Sequence, residues 1–396
     1  MSAPPLEIDV ALARVLEACT PLATESVPTA QADGRYLAAA ATAAIDLPPF
    51  TNSAMDGFAV RAGDTPGTFA IAGESAAGRP WGRPMARGEA ITISTGAELP
   101  EGADAVVPIE RVGLDGEPGT VSVPEVAHDA NVRHRGSDVR AGEPLCSAGV
   151  RLGPAHLAAL ISAGHPRVAV TRRPRVVVLT TGDELRAPGS ELAAGQIYDS
   201  NGPMLAAILT RAGAEVTRVS AAADTPEAHR EAFSAALDHD VVISTGGVSV
   251  GPHDLVRGIG AELGVREIFW RVKMRPGKPL LFGARDTTLV FGLPGNPVST
   301  LVCCELFVVP ALAALQGAHE PRPRFSAAPL AVAVARNPDR DDLIRVRRDA
   351  TGALAPARGQ SSHQISITAL SDGLARIPAG EGELVAGTEV AYLPLG

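Results

Sequence analysis

The sequence predicts a multidomain protein of the α/β plus β class, in which a three-layer α/β domain is combined with β-rich parts. The chain has 396 residues, which suggests about two to four domains rather than one. From Arg175 onwards, continuous apolar runs alternate with helical segments, which is typical of a largely parallel sheet covered by helices. Glycine- and proline-rich stretches with short β-branched runs lie on both sides of this region and predict separate β-rich units.

The N-terminal part combines two helical segments with a β-rich lobe. Apolar residues recur at helical spacing in residues 6–19 and again around residues 154–163. From Ala44 to Arg140 the chain is instead rich in glycine, proline and short β-branched runs such as Ala90–Ile93. The simplest arrangement is a lobe inserted into a helical linking domain that is built from the two flanking segments.

The α/β domain begins with the apolar run Arg175–Leu179, as expected for a strand that is buried on both faces. The elements predicted after it are strands at 216–219, 240–244 and 288–292 and helices at 204–212, from 225 and from 298. Beyond the linker Pro321–Arg324, short strands predict a small β-barrel or sandwich. The predicted boundaries are 1–44 with 141–172 for the linking domain, 45–140 for the lobe, 173–322 for the α/β domain and 323–396 for the C-terminal domain.

Composition excludes several classes of protein. The formal net charge of −9 disfavours a nucleic-acid-binding surface but permits a local basic pocket. Four cysteines without CxxC spacing argue against a zinc site or a disulfide framework. The N-terminus lacks the pattern of a secretory signal, and the apolar run Leu301–Leu315 is interrupted by Glu305 and Pro310 and is too short to span a bilayer. We therefore expect a soluble cytoplasmic protein with no membrane or nucleic-acid partner.

Lysine is nearly absent, and both lysines of the chain, Lys273 and Lys278, lie within six residues of each other. One interpretation is a general preference for arginine combined with chance. The other is that this loop requires a compact ammonium group, for which a planar guanidinium is no substitute. Arg275 and Lys278 lie on a Pro-Gly frame that suits phosphate or another oxyanion.

Two loops that follow predicted strands carry chemistry-bearing residues, and such strand ends form the ligand crevice of an open α/β sheet. After the first strand, Asp183 and Glu184 suit a hydrated Mg²⁺ or general-base work, although a pair of acids favoured by a helix dipole is the alternative. After the third strand, the glycines of the Ser244–Asp254 loop expose backbone N–H groups and form an anion cradle. That loop ends in a further carboxylate, Asp254, and we interpret His253 as a turn residue.

A third loop, Leu293–Ser299, holds Pro294 and Pro297 around Gly-Asn and would contribute backbone shape, with a plain strand-to-helix turn as the alternative. Carboxylates, a glycine cradle and cations around one crevice indicate metal-assisted chemistry on a phosphate-bearing ligand. A dinucleotide dehydrogenase is excluded, because no GxGxxG follows the first strand. The residues alone indicate no chemical role for the turn-rich loops of the lobe, and their composition favours solvated loops.

Taken in order, the motifs of the chain resemble the family of MoeA-type molybdopterin molybdenumtransferases, to which the C-terminal domain of gephyrin belongs. The resemblance covers nearly the whole chain. The motifs that carry it are Asn52–Gly57, Ser94–Gly96, Arg135–Asp138, Thr181–Glu184, Tyr198–Asn201, Gly246–Gly251 and Leu293–Ser299.

The resemblance implies an elongated homodimer with four parts per chain, in which 173–322 is the molybdopterin-binding domain. Its members insert molybdate into adenylylated molybdopterin and release AMP, and they use a divalent cation, usually Mg²⁺. The cleft would lie between the lobe of one subunit and the α/β and C-terminal domains of the other, which assigns the lobe loops a role.

By motif position the resemblance also implies site residues. Those expected to act in catalysis are Asp56, Asp138, Glu184, Asp254 and Lys278, and those expected to bind substrate are Thr95, Thr245, Gly246, Gly247, Ser249, Arg275, Pro294 and Pro297. Asp183 and Glu184 are the expected metal ligands, and Asp224 falls near an acidic position of the family. Two departures stand out: Arg275 replaces a lysine of many members, and Ser361 replaces a glycine in Gly359–Gln364.

Three alternatives remain beside this interpretation. The related molybdopterin adenylyltransferase shares the α/β part, but the lobe and the C-terminal domain argue against it. A gephyrin-like scaffold is disfavoured because the chain has no second module or long linker. A paralogue that serves tungsten is not separated by any residue. The adenylyltransferase and molybdenum-dependent enzymes are the protein partners that the resemblance suggests.

Overall fold

A computed structural model describes residues 4–114, 116–220, 226–246 and 255–395 of the chain. The predicted site residues Gly247, Ser249 and Asp254, together with Asp224 and His253, lie outside the described residues.

The linking part brings together segments from both sides of the lobe. Strand β1 (Thr24–Pro28) pairs with β11 (Arg167–Thr171), and β2 (Ala41–Thr42) pairs with β10 (Pro144–Cys146). Both pairs are antiparallel, so that residues 24–42 lie beside residues 144–171. The N-terminal helix connects this part to the α/β domain, because its buried residues Leu12 and Val15 belong to the same apolar core as Val176 and Phe307. The elements here are α1 (Ile8–Glu17), β1 (Thr24–Pro28), a 3₁₀ turn (Thr29–Gln31), β2 (Ala41–Thr42), β10 (Pro144–Cys146), α2 (Pro154–Ser162) and β11 (Arg167–Thr171).

The lobe is a sheet in the order β7-β4-β6-β5-β8, packed on Phe58, Val107 and Val121. Its pairings are antiparallel except that of β5 with β6. Its elements are β3 (Asn52–Ser53), β4 (Gly57–Val60), β5 (Gly67–Ser75), β6 (Glu89–Ile93), β7 (Ala105–Pro108), β8 (Thr120–Val123), β9 (Val132–Arg133) and 3₁₀ turns at Ala62–Asp64 and Ile109–Arg111.

The α/β domain has a mixed sheet in the order β15-β12-β16-β20-β19-β17. Strands β15, β12, β16 and β20 are parallel, whereas β19 is antiparallel to both of its neighbours. Along β12, Val176 and Val178 enter one apolar core and Val177 and Leu179 the other, which explains the four consecutive apolar residues of this strand. The elements are β12 (Arg175–Thr180), β13 (Leu185–Arg186), β14 (Ile197–Tyr198), α3 (Asn201–Arg211), β15 (Glu215–Ser220), α4 (Pro226–Ala236), β16 (Val241–Thr245), α5 (Leu255–Glu262), β17 (Arg266–Trp270), β19 (Leu281–Arg285) and β20 (Thr288–Leu293).

One continuous helical stretch, Pro297–Leu315, follows the last strand of the sheet. It consists of α6 (Pro297–Cys303), a π-helical turn (Cys304–Val308) and α7 (Val309–Leu315). Pro310 and Glu305 do not interrupt it, since the π turn absorbs the irregularity that the proline imposes. By length and composition its 19 residues, with mean hydropathy 2.1, are sufficient to cross a membrane, contrary to the sequence expectation, but 72% of the stretch is buried inside the protein.

The C-terminal sheet has the order β18-β23-β25-β27-β21, with β24 beside β23. Its first strand is contributed by the α/β region, because Met274 and Arg275 pair in parallel with Asp341 and Asp342. The lysine-containing loop is therefore held between the two domains. The elements are β18 (Met274–Arg275), β21 (Ser326–Pro329), β22 (Val334–Ala335), β23 (Asp341–Arg348), β24 (Leu354–Pro356), α8 (Ile365–Ala369), β25 (Gly373–Ile377), β26 (Glu383–Leu384) and β27 (Glu389–Pro394).

Candidate functional site

The loops after β12, β16 and β20 meet at one edge of the sheet, because these parallel strands end in register. Thr180 pairs with Thr245, and Thr245 pairs with Leu293. At Gly246 the backbone has φ +93°, and a Cβ there would lie 3.0 Å from the carbonyl oxygen of Thr181. Glycine is thus required at this position, since a side chain would be strained and would collide with backbone.

Asn201, at the start of α3, joins two of these loops. Its Nδ2 donates to Thr245 Oγ1 (3.0 Å) and to the carbonyl oxygen of Gly295 (2.7 Å). Its Oδ1 is buried without a hydrogen-bond partner in the described part of the chain. Thr245 itself is buried and does not face solvent, so its hydroxyl connects the loops of the crevice through hydrogen bonds within the protein.

Pro294 and Pro297 determine the shape of the third loop. Pro294 is buried, and its carbonyl oxygen accepts hydrogen bonds from Thr300 Oγ1 (2.6 Å) and Thr245 Oγ1 (3.3 Å). Pro297 is the first residue of α6, where the missing N–H is not needed. The next residue, Val298, donates its N–H to the carbonyl oxygen of Ser362 from the C-terminal domain (3.1 Å).

Asp183 and Glu184 both have exposed side chains at this edge. The Glu184 carboxylate folds back over Gly182, whose φ is +147°; a Cβ on Gly182 would lie 2.6 Å from Glu184 Oε2. The described residues contain no group of three or more His, Cys, Asp or Glu arranged to hold a metal ion. Two adjacent carboxylates still fit Mg²⁺, which commonly keeps several waters and takes only one or two protein carboxylates.

A cavity of about 680 Å³ opens beside this edge, between the α/β and C-terminal domains. Its lining comes from the lysine loop, from the loop that contains Pro294, and from the C-terminal domain. The residues concerned are Met274–Pro279, Pro294, Asn296, Ser299, Arg340 and Gln360–His363. Residues some 80 positions apart in the chain thus form one concave surface beside the crevice.

The three cations around this loop have different surroundings. Lys278 is exposed, and within the described residues its Nζ has no ion-pair or hydrogen-bond partner. The Arg275 guanidinium instead contacts Asp342, a buried carboxylate whose pKa is raised by burial although Arg275 opposes the shift. Lys273 forms an ion pair with Glu7 (2.7 Å), which raises the pKa of Lys273 and ties the loop to the start of α1. Lys278 is therefore the cation of the loop that is available to a ligand.

Two of the three predicted site residues of the lobe are in direct contact. The N–H of Thr95 donates to Asp56 Oδ1 (2.6 Å), and both residues are exposed. The N–H of Asp138 donates to the carbonyl oxygen of Leu47 (2.9 Å), and its side chain is exposed. Beside it, the Ala141 amide and the Arg135 guanidinium hold the pKa of Asp46 below its ordinary value. The structure thus joins Asp56 to Thr95 directly and leaves Asp138 exposed beside Leu47.

Sequence reasoning missed two arginines beside the crevice. Arg340 lines the cavity immediately before β23. Arg271 follows β17 at the same sheet edge, since β17 runs parallel to β20 across β19. Its backbone has φ +80°, and its guanidinium lies 3.8 Å from the Trp270 ring centroid. The run Arg266–Trp270 was a detectable strand signal, and its carboxyl end would have pointed to Arg271.

Comparison with known proteins identifies these parts. Residues 6–164 match the MoeA N-terminal region (domains I and II), residues 177–314 match a probable molybdopterin-binding domain, and residues 327–395 match the MoeA C-terminal region (domain IV). These matches confirm the predicted fold class.

Relatives of similar length agree with the family models. A molybdopterin molybdenumtransferase of Haemophilus influenzae is 39% identical over 81% of this chain and 81% of its own length. Molybdopterin molybdenumtransferase 2 of Mycobacterium tuberculosis is 35% identical over 96% of both chains. The solved structure of a molybdopterin biosynthesis MoeA protein from Pyrococcus horikoshii is 28% identical, covers 99% of this chain and 100% of its own, and has a TM-score of 0.82. The chain therefore belongs to the MoeA family of molybdopterin molybdenumtransferases.

Proposed function

We propose that the protein inserts molybdate into adenylylated molybdopterin and releases AMP, giving molybdenum cofactor. The support is twofold: relatives that match most of the chain carry the name molybdopterin molybdenumtransferase, and the cavity is lined by Lys278, a lysine that has no partner among the residues that the structure describes. The matches to the MoeA N-terminal and C-terminal regions argue against an adenylyltransferase that consists of the α/β part alone.

Lys278 is the observation that carries the assignment of the oxyanion site. Molybdate and the pyrophosphate linkage are both anions, and an ammonium group donates to such oxygens from a compact, strongly charged head. Arg340 adds a second cation to the same cavity. Arg275 would act with less charge than expected, since Asp342 partly neutralises it.

The crevice beside the cavity would hold the adenylate end of the substrate. Gly246 leads into the proposed phosphate cradle, for which Gly247 and Ser249 would supply backbone and side-chain donors; the N–H of Gly246 itself donates to the carbonyl oxygen of Leu293 (3.3 Å). Asp183 and Glu184 are the proposed Mg²⁺ ligands, with Asp254 as a further carboxylate. A bound Mg²⁺ would supply charge neutralisation at the phosphoanhydride that is cleaved.

The lobe would complete the site from a second subunit. Asp56 and Thr95 are hydrogen-bonded to each other and exposed, and Asp138 is exposed as well; we propose that these residues of the lobe face the α/β crevice of the partner in a homodimer. The four-part division of the chain, a cytoplasmic location and contacts with the adenylyltransferase and with molybdenum-dependent enzymes belong to the same proposal.

The test is AMP release from adenylylated molybdopterin by the purified protein, with and without molybdate and Mg²⁺. We expect release that depends on molybdate and on a divalent cation, and cofactor that activates an apo-molybdoenzyme. Tungstate in place of molybdate measures the metal preference. A protein that binds the substrate but releases no AMP under any of these conditions would contradict the proposal.

A further inference from the structure

Arg345, on β23, carries a buried positive charge that the proposed reaction has not used. Its side chain is 1% exposed and is one of the largest fully buried side chains of the described residues. It has no carboxylate partner in that part of the chain. A buried cation is costly unless other groups compensate it, so its partners indicate what it does.

Those partners are backbone carbonyls of a single loop, Gly359–Gln364. Nη1 donates to the carbonyl oxygen of Gln364 (2.9 Å), and Nη2 donates to those of Gly359 (3.0 Å) and Ser361 (3.1 Å). The Gln360 side chain braces the same strand: its Oε1 accepts from the Arg345 amide (3.0 Å), and its Nε2 donates to the Arg345 carbonyl oxygen (3.0 Å). Burial lowers the pKa of Arg345, as expected where dipoles rather than a carboxylate compensate the charge.

The same loop forms one wall of the oxyanion cavity. Gln360, Ser361, Ser362 and His363 line it, whereas Arg345 does not. The Ser362 carbonyl oxygen is also occupied, because it accepts the N–H of Val298 at the start of α6. Carbonyl oxygens would repel an oxyanion, and in this wall those of residues 359, 361, 362 and 364 are bonded to donors of the protein.

We infer that Arg345 is a positioning residue for the oxyanion site: it holds the carbonyl oxygens of Gly359–Gln364 away from the cavity, so that the loop presents the Ser361 and Ser362 hydroxyls to molybdate in the cavity that Lys278 also lines. The inference rests on the proposed function. Ser361 has no positive φ, so a residue other than glycine fits this position of the loop.

A lysine would not replace Arg345 in this role. The guanidinium forks to three carbonyl oxygens and a side-chain amide from several nitrogens in one plane, whereas an ammonium group presents its donors from a single atom. Arg345→Lys therefore separates positioning from charge: the charge stays and the fork is lost.

The experiment compares wild type, Arg345→Lys, Arg345→Met and a control, Val346→Ala, in the full-length protein. Val346 is buried in the apolar core of the C-terminal sheet, so its truncation destabilises the same strand without touching the loop. Molybdate binding is measured by calorimetry, KM for molybdate and kcat by AMP release, and stability by thermal unfolding. We expect both Arg345 variants to bind molybdate at least about tenfold more weakly, the loss of roughly one charged hydrogen bond.

The outcomes separate the inference from the function on which it rests. A raised KM for molybdate in Arg345→Lys, with Val346→Ala near wild type at equal or lower stability, supports positioning. Wild-type affinity in Arg345→Lys overturns it, as does an equal loss in Val346→Ala. Wild type that neither binds molybdate nor releases AMP overturns the proposed function itself. If the Arg345 variants do not fold, Gln360→Met loosens the loop with Arg345 intact, and unchanged molybdate affinity there also overturns the inference.

Discussion

Replacing Lys278 with alanine is expected to weaken molybdate binding strongly, whereas replacing Lys273 with alanine is expected to leave it unchanged. The two lysines lie five positions apart and have the same chemistry, so they form a matched pair. Lys278 lines the cavity and has no partner among the described residues. Lys273 is occupied by Glu7 at 2.7 Å, outside the cavity lining.

The size of the effect follows from the kind of contact that is lost. A hydrogen bond in which one partner is charged contributes about 1.5–3 kcal/mol, and every 1.4 kcal/mol is about a factor of ten in affinity. Lys278→Ala should therefore raise the dissociation constant and KM for molybdate roughly 10- to 150-fold. Lys278→Arg should recover only part of this loss, because a planar guanidinium on a longer side chain does not reproduce the compact ammonium group.

The assay is AMP release from adenylylated molybdopterin over a range of molybdate concentrations, at a fixed Mg²⁺ concentration and low ionic strength. Low salt keeps the exposed cation unscreened. Thermal unfolding of each variant shows whether the fold is retained. Lys273→Ala is the control for removing a lysine from this loop, since it breaks an exposed ion pair that contributes little.

The reasoning would be refuted by Lys278→Ala with wild-type KM for molybdate and wild-type kcat. It would also be refuted if Lys273→Ala lost as much affinity as Lys278→Ala, because the effect would then belong to the loop as a whole. Full recovery by Lys278→Arg would show that charge alone matters, and the preference for a compact ammonium group would be wrong.

Three further predictions concern other parts of the molecule. Glu184→Gln should keep the fold and lose AMP release, and a wild-type Mg²⁺ dependence of the variant would remove Glu184 from the metal site. If each site is shared between two subunits of a twofold dimer, mixing the Asp56→Asn and Glu184→Gln variants and allowing subunit exchange should restore about a quarter of wild-type activity. The shared site would be contradicted by a lack of recovery, or by a protein that is monomeric in light scattering and still releases AMP. The Asp240 carboxylate accepts hydrogen bonds from Arg172 Nη1 (2.7 Å) and Nη2 (2.8 Å). Burial raises the pKa of Asp240, but these bonds and the Arg175 amide lower it by more, so that the pKa lies below its ordinary value of 3.8. The ionised carboxylate therefore stabilises the fold at pH values above the pKa of Asp240 in the unfolded chain, and this contribution is lost as pH falls through the pKa in the folded protein. In urea unfolding, Asp240→Asn should lower the free energy of unfolding by about 2 kcal/mol at pH 7. The difference from wild type should become progressively smaller between about pH 5 and pH 3.

Much of the α/β domain was predictable from the sequence. Four consecutive residues, Val176–Leu179, are apolar, because neighbouring side chains enter different cores on the two faces of one sheet. The loops after these strands were predictable as well, since the ends of parallel strands lie at one edge. The local sequence pattern is sufficient to predict a strand where both faces of the sheet are covered by apolar cores.

Other elements followed tertiary contacts that local pattern does not contain. The N-terminal helix, which is predicted as part of the linking domain, packs Leu12 and Val15 into the core of the α/β domain. Pro310 lies inside a helix rather than ending it, because the π turn at 304–308 accommodates it. The strand Met274–Arg275 joins the sheet of another domain.

By itself, then, the sequence determined the fold class, the order of the motifs and the presence of two lysines in one hexapeptide. Only the tertiary structure decided which lysine is available, because the partner of Lys273 lies 266 positions away in the chain at Glu7. It likewise decided that Arg345 stands behind the cavity wall, since its fork meets carbonyl oxygens that no side-chain pattern reveals. Strand pattern is a local property, whereas the charge that a ligand encounters depends on what the folded chain places beside each group.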